Sequence, residues 1–229
     1  MKPMLETNGV LRAAVLGVVL GMLLTGGACF AQAAQTESAS PLGNAEPGKK
    51  ETAIGDLAAD AVREALQCNV AFVAASELKP TKTPFPAGTI TSSQIAGLIS
   101  YPNDPLAVLL LDGKTIRQAL EKAVSISPQR NLGFLQVSGL RFKFDAKAKP
   151  GNRVTSVVLD KTPLNDDYYY TVGVTNSMAN GALGYWKVWR KDDIKTKFPD
   201  TTIVRAVENY FRAHAKIDYS KLDRITAQQ

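Results

Sequence analysis

Histidine and cysteine are scarce in this chain, and their scarcity excludes several kinds of catalytic centre. The 229 residues include one histidine, His214, and two cysteines, Cys29 and Cys68. A two-metal phosphoesterase needs several His, Asp, Asn and Glu ligands around ions roughly 4 Å apart, and a zinc site needs clustered Cys and His. The Gly-Lys loop that cradles phosphates and the Ser-centred nucleophile elbow are missing too. We therefore predict no metal, no cofactor and no self-sufficient catalysis.

A long hydrophobic run is also missing. The apolar stretch near the N-terminus, residues 13–24, is shorter than the roughly 20 residues that a membrane helix needs. The weakly basic start before it and the small-x-small sequence at 31–33 are typical of a signal peptide over residues 1–33. We predict cleavage before Ala34 and a periplasmic or secreted protein without a stable membrane span. A lipoprotein anchored through Cys29 and an uncleaved anchor helix are the alternatives.

Strong charge of either sign is lacking as well. The whole chain has a net charge of +6, and removal of residues 1–33 takes away two basic residues and one acidic residue to leave +5. A mild positive field helps to attract anionic ligands. Because no Lys/Arg cluster occurs, we expect no nucleic-acid partner.

The rest of the chain divides into a short linker and one domain. Residues 34–50 are rich in Ser, Pro, Gly, Ala and Glu, and we interpret them as a flexible linker. Residues 51–229 have the length of one ordinary domain, which buries a substantial core without disulfides.

Within that domain, helical and strand patterns mix without strict alternation. Apolar residues recur at helical spacing from Ile54 to Leu66, with Thr52 as the N-cap. Further helices are predicted after Thr91, after Gly113 and over about 201–215. Strands are predicted at 70–74, 106–111, 134–137, 140–144, 154–159 and 168–174 and around Ile225. This mixture predicts a single α+β (mixed α/β) domain with a mixed sheet and packed helices.

Several reactive or aromatic residues are predicted to have structural roles. Cys68 precedes an apolar run and is predicted to be a buried, inert thiol. His214 falls near the end of the last helix, where we expect a structural or surface role. Trp186 and Trp189 are three residues apart and would face one side of a helical turn, either as packing residues or as an aromatic platform.

A series of short motifs occurs in a recognisable order between Glu51 and Thr226. The motifs lie at 51–57, 69–73, 86–91, 111–121, 134–141, 151–157, 179–185 and 224–226. Their order resembles the C-terminal domain of bacterial 5′-nucleotidases. In that family this domain holds the substrate, while a separate domain holds the metals, and the separate domain is not in this sequence.

The resemblance implies a nucleotide-binding site of which this sequence keeps a part. Family members sandwich the nucleobase between two aromatic rings. The first ring corresponds to Tyr101, which Asn103 follows with the family's amide. The second corresponds to Ser177, which has no ring. The resemblance therefore implies half of the aromatic clamp, with Tyr101 and Asn103 as ligand-binding residues.

Other family binding positions are altered. The family's Asn-Gly-Gly-Gly-Ile-Arg loop reads Ala-Ala-Ser-Glu-Leu-Lys at 74–79, so a forked arginine becomes Lys79, a point charge. Leu183 replaces a family aspartate, and Gly133 lies near a family binding glycine. The resemblance implies anion contact by Lys79 and ligand contact at Gly133, with a solvated lysine and a turn glycine as the alternatives.

The implied function is that of an exported nucleotide- or nucleoside-binding domain related to nucleotide catabolism. It would act beside a separate metallophosphoesterase or another envelope partner and have no metal-hydrolase centre of its own. One alternative is a degenerate interaction module that binds no nucleotide. A second is a residual nucleotide phosphohydrolase.

Overall fold

A computed structural model describes residues 33–228, which include twelve β-strands and five α-helices. The predicted signal peptide and Cys29 lie outside this range. The strands are β1 (Gln35–Ser38), β2 (Val70–Ala74), β3 (Gly88–Thr91), β4 (Pro105–Asp112), β5 (Leu135–Ser138), β6 (Leu140–Asp145), β7 (Val154–Leu159), β8 (Thr162–Pro163), β9 (Tyr169–Thr175), β10 (Ile194–Thr202), β11 (Lys216–Ile217) and β12 (Ile225–Gln228). The helices are α1 (Ala53–Leu66), α2 (Ser92–Ala96), α3 (Gly113–Ala123), α4 (Asn176–Ala179) and α5 (Ile203–Ala213).

Helix α1 forms for the reasons that its sequence indicates. The Thr52 side chain accepts a hydrogen bond from the Gly55 amide at 3.1 Å and so caps the N-terminus. The helix ends at Gln67, which adopts the left-handed conformation with φ 48°. Cys68 follows as a buried free thiol, and burial raises its pKa. The predictions of a capped helix and a buried thiol are confirmed.

A five-stranded mixed sheet separates two apolar layers. The strand order is β10-β4-β9-β2-β5, with β2 parallel to β9 and β4 antiparallel to both of its neighbours. Alternate residues of β2 point to opposite faces, as the pleat requires. Val70 and Phe72 pack towards α3 and the second sheet, while Ala71 and Val73 pack towards α1 and α5. The predicted mixed α/β architecture is confirmed.

Two smaller sheets complete the fold. A four-stranded sheet, β12-β6-β7-β8, covers one layer, and its buried Phe142 and Phe144 alternate with the exposed Lys143. A three-stranded sheet, β11-β1-β3, pairs the first described strand with two strands from later in the chain. Strand β10 was not predicted, because its nine residues, Ile-Lys-Thr-Lys-Phe-Pro-Asp-Thr-Thr, are mostly exposed and polar.

The prediction of a flexible linker over residues 34–50 is wrong. Strand β1 pairs with β3 and β11, and Leu42 is fully buried beside Phe85, with which it exchanges backbone hydrogen bonds. Asn44 is buried too, where it accepts from Thr52 Oγ1 at 2.8 Å and donates to the Lys79 carbonyl at 2.8 Å. Composition misled here because hydrogen bonds to nearby groups satisfy small polar side chains, which then become part of the core.

Candidate functional site

Tyr101 lies at the rim of an open cavity of about 440 Å³. Its ring is 58% exposed, which leaves a face available for stacking. Tyr101, Asn103 and Ser177 all line this cavity, together with Ser100, Pro102, Asp104 and Pro105. The structure therefore brings Tyr101 and Ser177, the two positions that the resemblance predicts for a base clamp, to one cavity.

The cavity is built from two segments that meet at one end of the central sheet. Leu106 of β4 pairs with Thr175 of β9, so the loop before β4 lies beside the start of α4. Residues 101–104 form a β-turn, in which the Asp104 amide donates to the Tyr101 carbonyl at 3.1 Å. The Asp104 carboxylate accepts from the Ser177 amide, with both oxygens at 3.3 Å. Asp104 thus joins the two walls of the cavity.

Sequence analysis did not identify Glu77, a buried glutamate whose carbonyl is bonded to the cavity-lining Ser100. Glu77 accepts hydrogen bonds from the Ala74 amide at 2.6 Å and from the Thr175 hydroxyl. Its carbonyl also accepts from the Ser100 amide at 2.8 Å. Glu77 therefore ties three segments together, and one of them, at Ser100, lines the cavity. The sequence signal that could have identified Glu77 was a single carboxylate among the apolar and small residues at 70–78, because buried carboxylates are rare unless they are partnered.

Burial raises the pKa of Glu77 to about 7, and hydrogen bonds from Thr175 and Ala74 only partly oppose this change. The nearby Asp104 carboxylate raises the pKa further. The folded state therefore binds more protons than the unfolded state between the ordinary pKa of 4.5 and the folded value of about 7. The contribution of protonated Glu77 to the free energy of unfolding is complete below pH 4.5 and is lost as the pH rises to about 7.

We expect Glu77→Gln to remove this part of the pH dependence of stability. Between about pH 4.5 and 7 the free energy of unfolding should fall by about 3 kcal/mol more in the wild type than in the variant. Urea unfolding across this pH range measures how the free energy of unfolding changes with pH in both proteins. Glu208→Gln is the control, since it removes a partly exposed carboxylate that pairs with Arg212, and it should keep the wild-type pH dependence. Equal slopes for wild type and Glu77→Gln would contradict the assigned linkage.

Lys79 and Gly133 do not line the Tyr101 cavity. Lys79 is exposed, and its ammonium donates to the Gly97 carbonyl at 3.0 Å. Gly133 is buried, with its amide bonded to Asn131 Oδ1 at 2.9 Å and its carbonyl bonded to the Tyr185 hydroxyl at 2.7 Å. In this conformation both residues make contacts within the chain, and their roles in ligand binding stay predictions.

The expectation that Trp186 and Trp189 share one side of a helical turn is wrong. Trp189 is only 2% exposed and stacks on the Tyr185 ring at 4.6 Å, while Trp186 is 66% exposed. The chain between Gly181 and Lys187 is not a regular helix, because Leu183 and Gly184 adopt left-handed conformations with φ 57° and 78°. This irregular turn directs the two indoles to different surroundings.

A larger cavity of about 630 Å³ lies at the opposite end of the central sheet. It is lined by Ser138 and Arg224, and Ser138 pairs with Ala71 while Leu135 pairs with Ala74. Its central charges neutralise each other, since Arg224 makes two hydrogen bonds to the Asp60 carboxylate at 2.7 and 2.8 Å. The charged groups at the centre of this larger cavity already have partners inside the chain, so we take the Tyr101 cavity as the candidate site.

Within residues 33–228, no group of three His, Cys, Asp or Glu side chains is placed to hold a metal ion. No helix in that range is long and apolar enough to cross a membrane. The lone histidine, His214, forms the C-terminal cap of α5 and contacts Glu64 Oε2 through Nε2 at 2.8 Å on the surface.

Comparisons with known proteins agree with this fold. The trifunctional nucleotide phosphoesterase protein YfkN of Bacillus subtilis is 31% identical over 142 residues, which cover 59% of this chain and 10% of that protein. The 5′-nucleotidase of Homo sapiens is 31% identical over 115 residues, which cover 47% of this chain and 20% of the human protein. The chain therefore spans a fifth or less of the length of these relatives.

A solved structure and a family model extend the comparison. The 5′-nucleotidase precursor from Thermus thermophilus superimposes with a TM-score of 0.73 at 25% identity, over 86% of this chain and 40% of that chain. The model of the family described as 5′-nucleotidase, C-terminal domain matches residues 31–190. Since this match covers more than half of the sequence, the chain belongs to the 5′-nucleotidase C-terminal domain family, which is related to nucleotide metabolism.

Proposed function

We propose that the chain binds a nucleoside or nucleotide through the Tyr101 cavity and acts as a substrate-binding domain. The observation that carries this proposal is the convergence of Tyr101, Asn103 and Ser177 on one open cavity. A flat base stacks on an aromatic face without leaving polar groups unpaired, and the Asn103 amide offers both a donor and an acceptor for the edge of a base.

The charge of the cavity favours the base over the phosphate. Asp104 lines the cavity, and its negative charge repels an anionic group close to it. A nucleobase or a ribose hydroxyl suits this environment better than a phosphate does. With Ser177 in place of the second ring, stacking on one side only should make binding weaker than in a two-ring clamp.

The chemistry would be supplied by another protein. We propose that the chain is exported by the predicted signal peptide and acts outside the cytoplasm beside a separate metallophosphoesterase or another envelope partner. The export proposal rests on the apolar run at 13–24, and the partner proposal rests on membership of the 5′-nucleotidase C-terminal domain family. Lys79 and Gly133 remain proposed contacts that would require the loop at 74–79 or the Gly133 turn to rearrange.

Calorimetric titration of the full chain with AMP, adenosine and UDP-glucose tests the proposed site. We expect measurable binding, and Tyr101→Ala should weaken it by roughly 5- to 150-fold, which corresponds to the 1–3 kcal/mol that one stacked base contributes. Ser177→Phe should strengthen binding by a similar factor, because it returns a ring to the second wall.

Tyr101→Phe and Tyr169→Ala are the matched controls. The first keeps the stacking ring, and the second removes an equally exposed tyrosine at 67% exposure on another part of the surface. Both should bind as wild type does. Absence of heat with all three ligands would exclude a nucleotide site and favour the interaction-module alternative. Release of phosphate from AMP with added divalent metal, lost on Tyr101→Ala, would favour the residual hydrolase.

A further inference from the structure

The larger of the two cavities described above has no role in the function proposed for Tyr101. Its volume of about 630 Å³ is typical of small-molecule binding sites, which range from about 300 to 1,000 Å³. Arg63 of α1, Tyr210 of α5 and Lys161 of the β7–β8 turn line it. It shares no lining residue with the Tyr101 cavity. Three separate parts of the fold therefore enclose a second space that is large enough to hold a ligand.

Most charged groups that line this larger cavity have an ionisable partner within the chain. The pairs are Asp60–Arg224, Arg141–Asp223 and Glu64–His214. Across residues 33–228, three charged lining residues have no oppositely charged atom within 4.0 Å, namely Arg63, Asp160 and Lys161. Two positive charges and one negative charge are therefore left for a ligand to meet.

The Arg63 guanidinium is held in a fixed orientation at this cavity. Its Nε donates to Ser138 Oγ at 3.1 Å, and that hydroxyl donates to Asp60 Oδ1 at 2.6 Å. Within residues 33–228, the terminal nitrogens Nη1 and Nη2 of Arg63 have no hydrogen-bond acceptor. An arginine fork binds a carboxylate through two parallel hydrogen bonds. Arg63 is thus oriented in advance for a carboxylate on a ligand.

The other two unpaired charges lie on a strained turn. Leu159 pairs with Thr162, so Asp160 and Lys161 alone connect β7 to β8. Both adopt left-handed conformations, with φ 45° and 74°, in a connection where Asn-Gly or Asp-Gly is preferred. A lysine is strained there because its Cβ crowds the backbone. Strained residues cluster at binding sites, and this turn brings Lys161 to the edge of the cavity.

We propose that the larger cavity binds a free acidic amino acid. One carboxylate binds the Arg63 guanidinium, the other contacts the Lys161 ammonium, and the ammonium group of the ligand donates to Asp160. An acidic amino acid carries two carboxylates and one ammonium group, which complement the three unpaired charges of the cavity. A phosphate dianion suits the cavity less well, because three carboxylates, those of Asp60, Glu64 and Asp160, also line it. This site does not depend on the function proposed for Tyr101.

Calorimetric titration of the full chain with glutamate, glutamine and glutarate tests the site. Glutamine lacks one of the two carboxylate charges, and glutarate lacks the ammonium group. We expect glutamate to bind saturably, and each of the other two to bind about tenfold more weakly, because each loses one charge-assisted contact. Arg63→Met should weaken the binding of glutamate and glutamine alike by about tenfold, since both ligands place a carboxylate on Arg63.

Lys161→Gly separates a binding role of Lys161 from a structural one. Glycine adopts a φ of 74° without strain, so the midpoint of urea unfolding should rise. The preference for glutamate over glutamine should disappear at the same time, because the contact to the second carboxylate is lost. A lysine with only a structural role would leave this preference unchanged, and that result would overturn the assignment.

Arg117→Met is the matched control, since Arg117 pairs with Asp166 at 3.0 Å and does not line the cavity. This variant should bind glutamate as wild type does. Tyr101→Ala should do so too, which keeps failure of this site distinguishable from failure of the Tyr101 site. Absence of glutamate binding, equal affinities of the wild type for glutamate and glutamine, or loss of glutamate binding in Tyr101→Ala would each contradict the proposal.

Discussion

Replacement of Arg224 by methionine is expected to lower the free energy of unfolding by about 3 kcal/mol, at the lower end of the range for buried ion pairs that lose one partner, because the Arg224 and Asp60 side chains are 20% and 21% exposed. Its guanidinium makes two hydrogen bonds to Asp60 and a third to the Val137 carbonyl at 3.0 Å. Its Nε lies 3.4 Å from a carboxylate oxygen of the fully buried Asp56. Methionine fills a similar volume but leaves the Asp60 charge uncompensated. Urea unfolding measures the loss.

The surrounding groups explain why the effect should be large. Burial raises the pKa of Asp56 to about 9, although Arg224 partly opposes this change, so Asp56 is mainly neutral at pH 7 and leaves Asp60 as the charged partner. Asp60 also accepts from the Tyr219 hydroxyl at 3.0 Å and from Ser138 Oγ at 2.6 Å. Deleting the arginine thus removes the counter-charge from a network that joins α1, β5 and the chain before β12.

Arg141→Met is the matched control for this prediction. Arg141 pairs with Asp223 at 3.2 Å, but both side chains are more than half exposed, so its loss should cost no more than about 1 kcal/mol. The double change Arg224→Met/Asp60→Asn should be more stable than Arg224→Met alone, because it removes the stranded charge. Equal losses of free energy of unfolding for Arg224→Met and Arg141→Met would show that the Arg224 network stabilises the fold no more than a surface ion pair does.

Replacement of Trp189 by alanine should also cost about 3–5 kcal/mol, the range for large aromatic residues removed from a core. The indole is buried on the Tyr185 ring, and its Nε1 donates to the Met178 carbonyl at 2.9 Å. The change would leave a cavity and an unpaired carbonyl beneath the turn that presents Trp186. Unfolding followed by far-UV circular dichroism measures the loss independently of tryptophan emission.

Trp186→Ala provides the matched control, since it removes the same side chain from an exposed position three residues earlier. Its cost should be about 0.5 kcal/mol or less, as for surface substitutions away from buried contacts. Trp189→Phe should lie between the two, because it keeps an aromatic ring but loses the hydrogen bond to Met178. A similar loss for Trp186→Ala and Trp189→Ala would contradict the different environments of the two indoles.

Part of the candidate site could be predicted from the sequence. The motif order predicts Tyr101 and Ser177 as the two clamp positions, and in the structure both line one cavity. Lys79 and Gly133 belong to motifs of the same resemblance, yet their polar groups are bonded elsewhere within the chain. Motif correspondence identifies positions along the chain, but it does not determine which hydrogen bonds the substituted side chains will make.

Glu77 and Lys122 show a second limit of the sequence. Each looks like an ordinary charged residue, because its importance depends on groups that are distant in the chain, such as Thr175 for Glu77 and Tyr185 for Lys122. Tertiary folding brings these partners together and sets their burial. The local periodicity of apolar residues therefore predicts neither the raised pKa of Glu77 nor the position of the Lys122 ammonium over the Tyr185 ring.

The sequence by itself determined most helices and strands of the core, though not β10, together with the mixed α/β class and the family resemblance. These follow from local spacing of apolar residues and from turn and capping residues, which act within a few positions of one another. Only the tertiary structure decided that residues 35–38 form a strand, that Trp186 and Trp189 face different surroundings and that Glu77 is buried against the Thr175 hydroxyl. Those outcomes depend on long-range pairing, because burial and hydrogen-bond partners are fixed only when distant segments pack together.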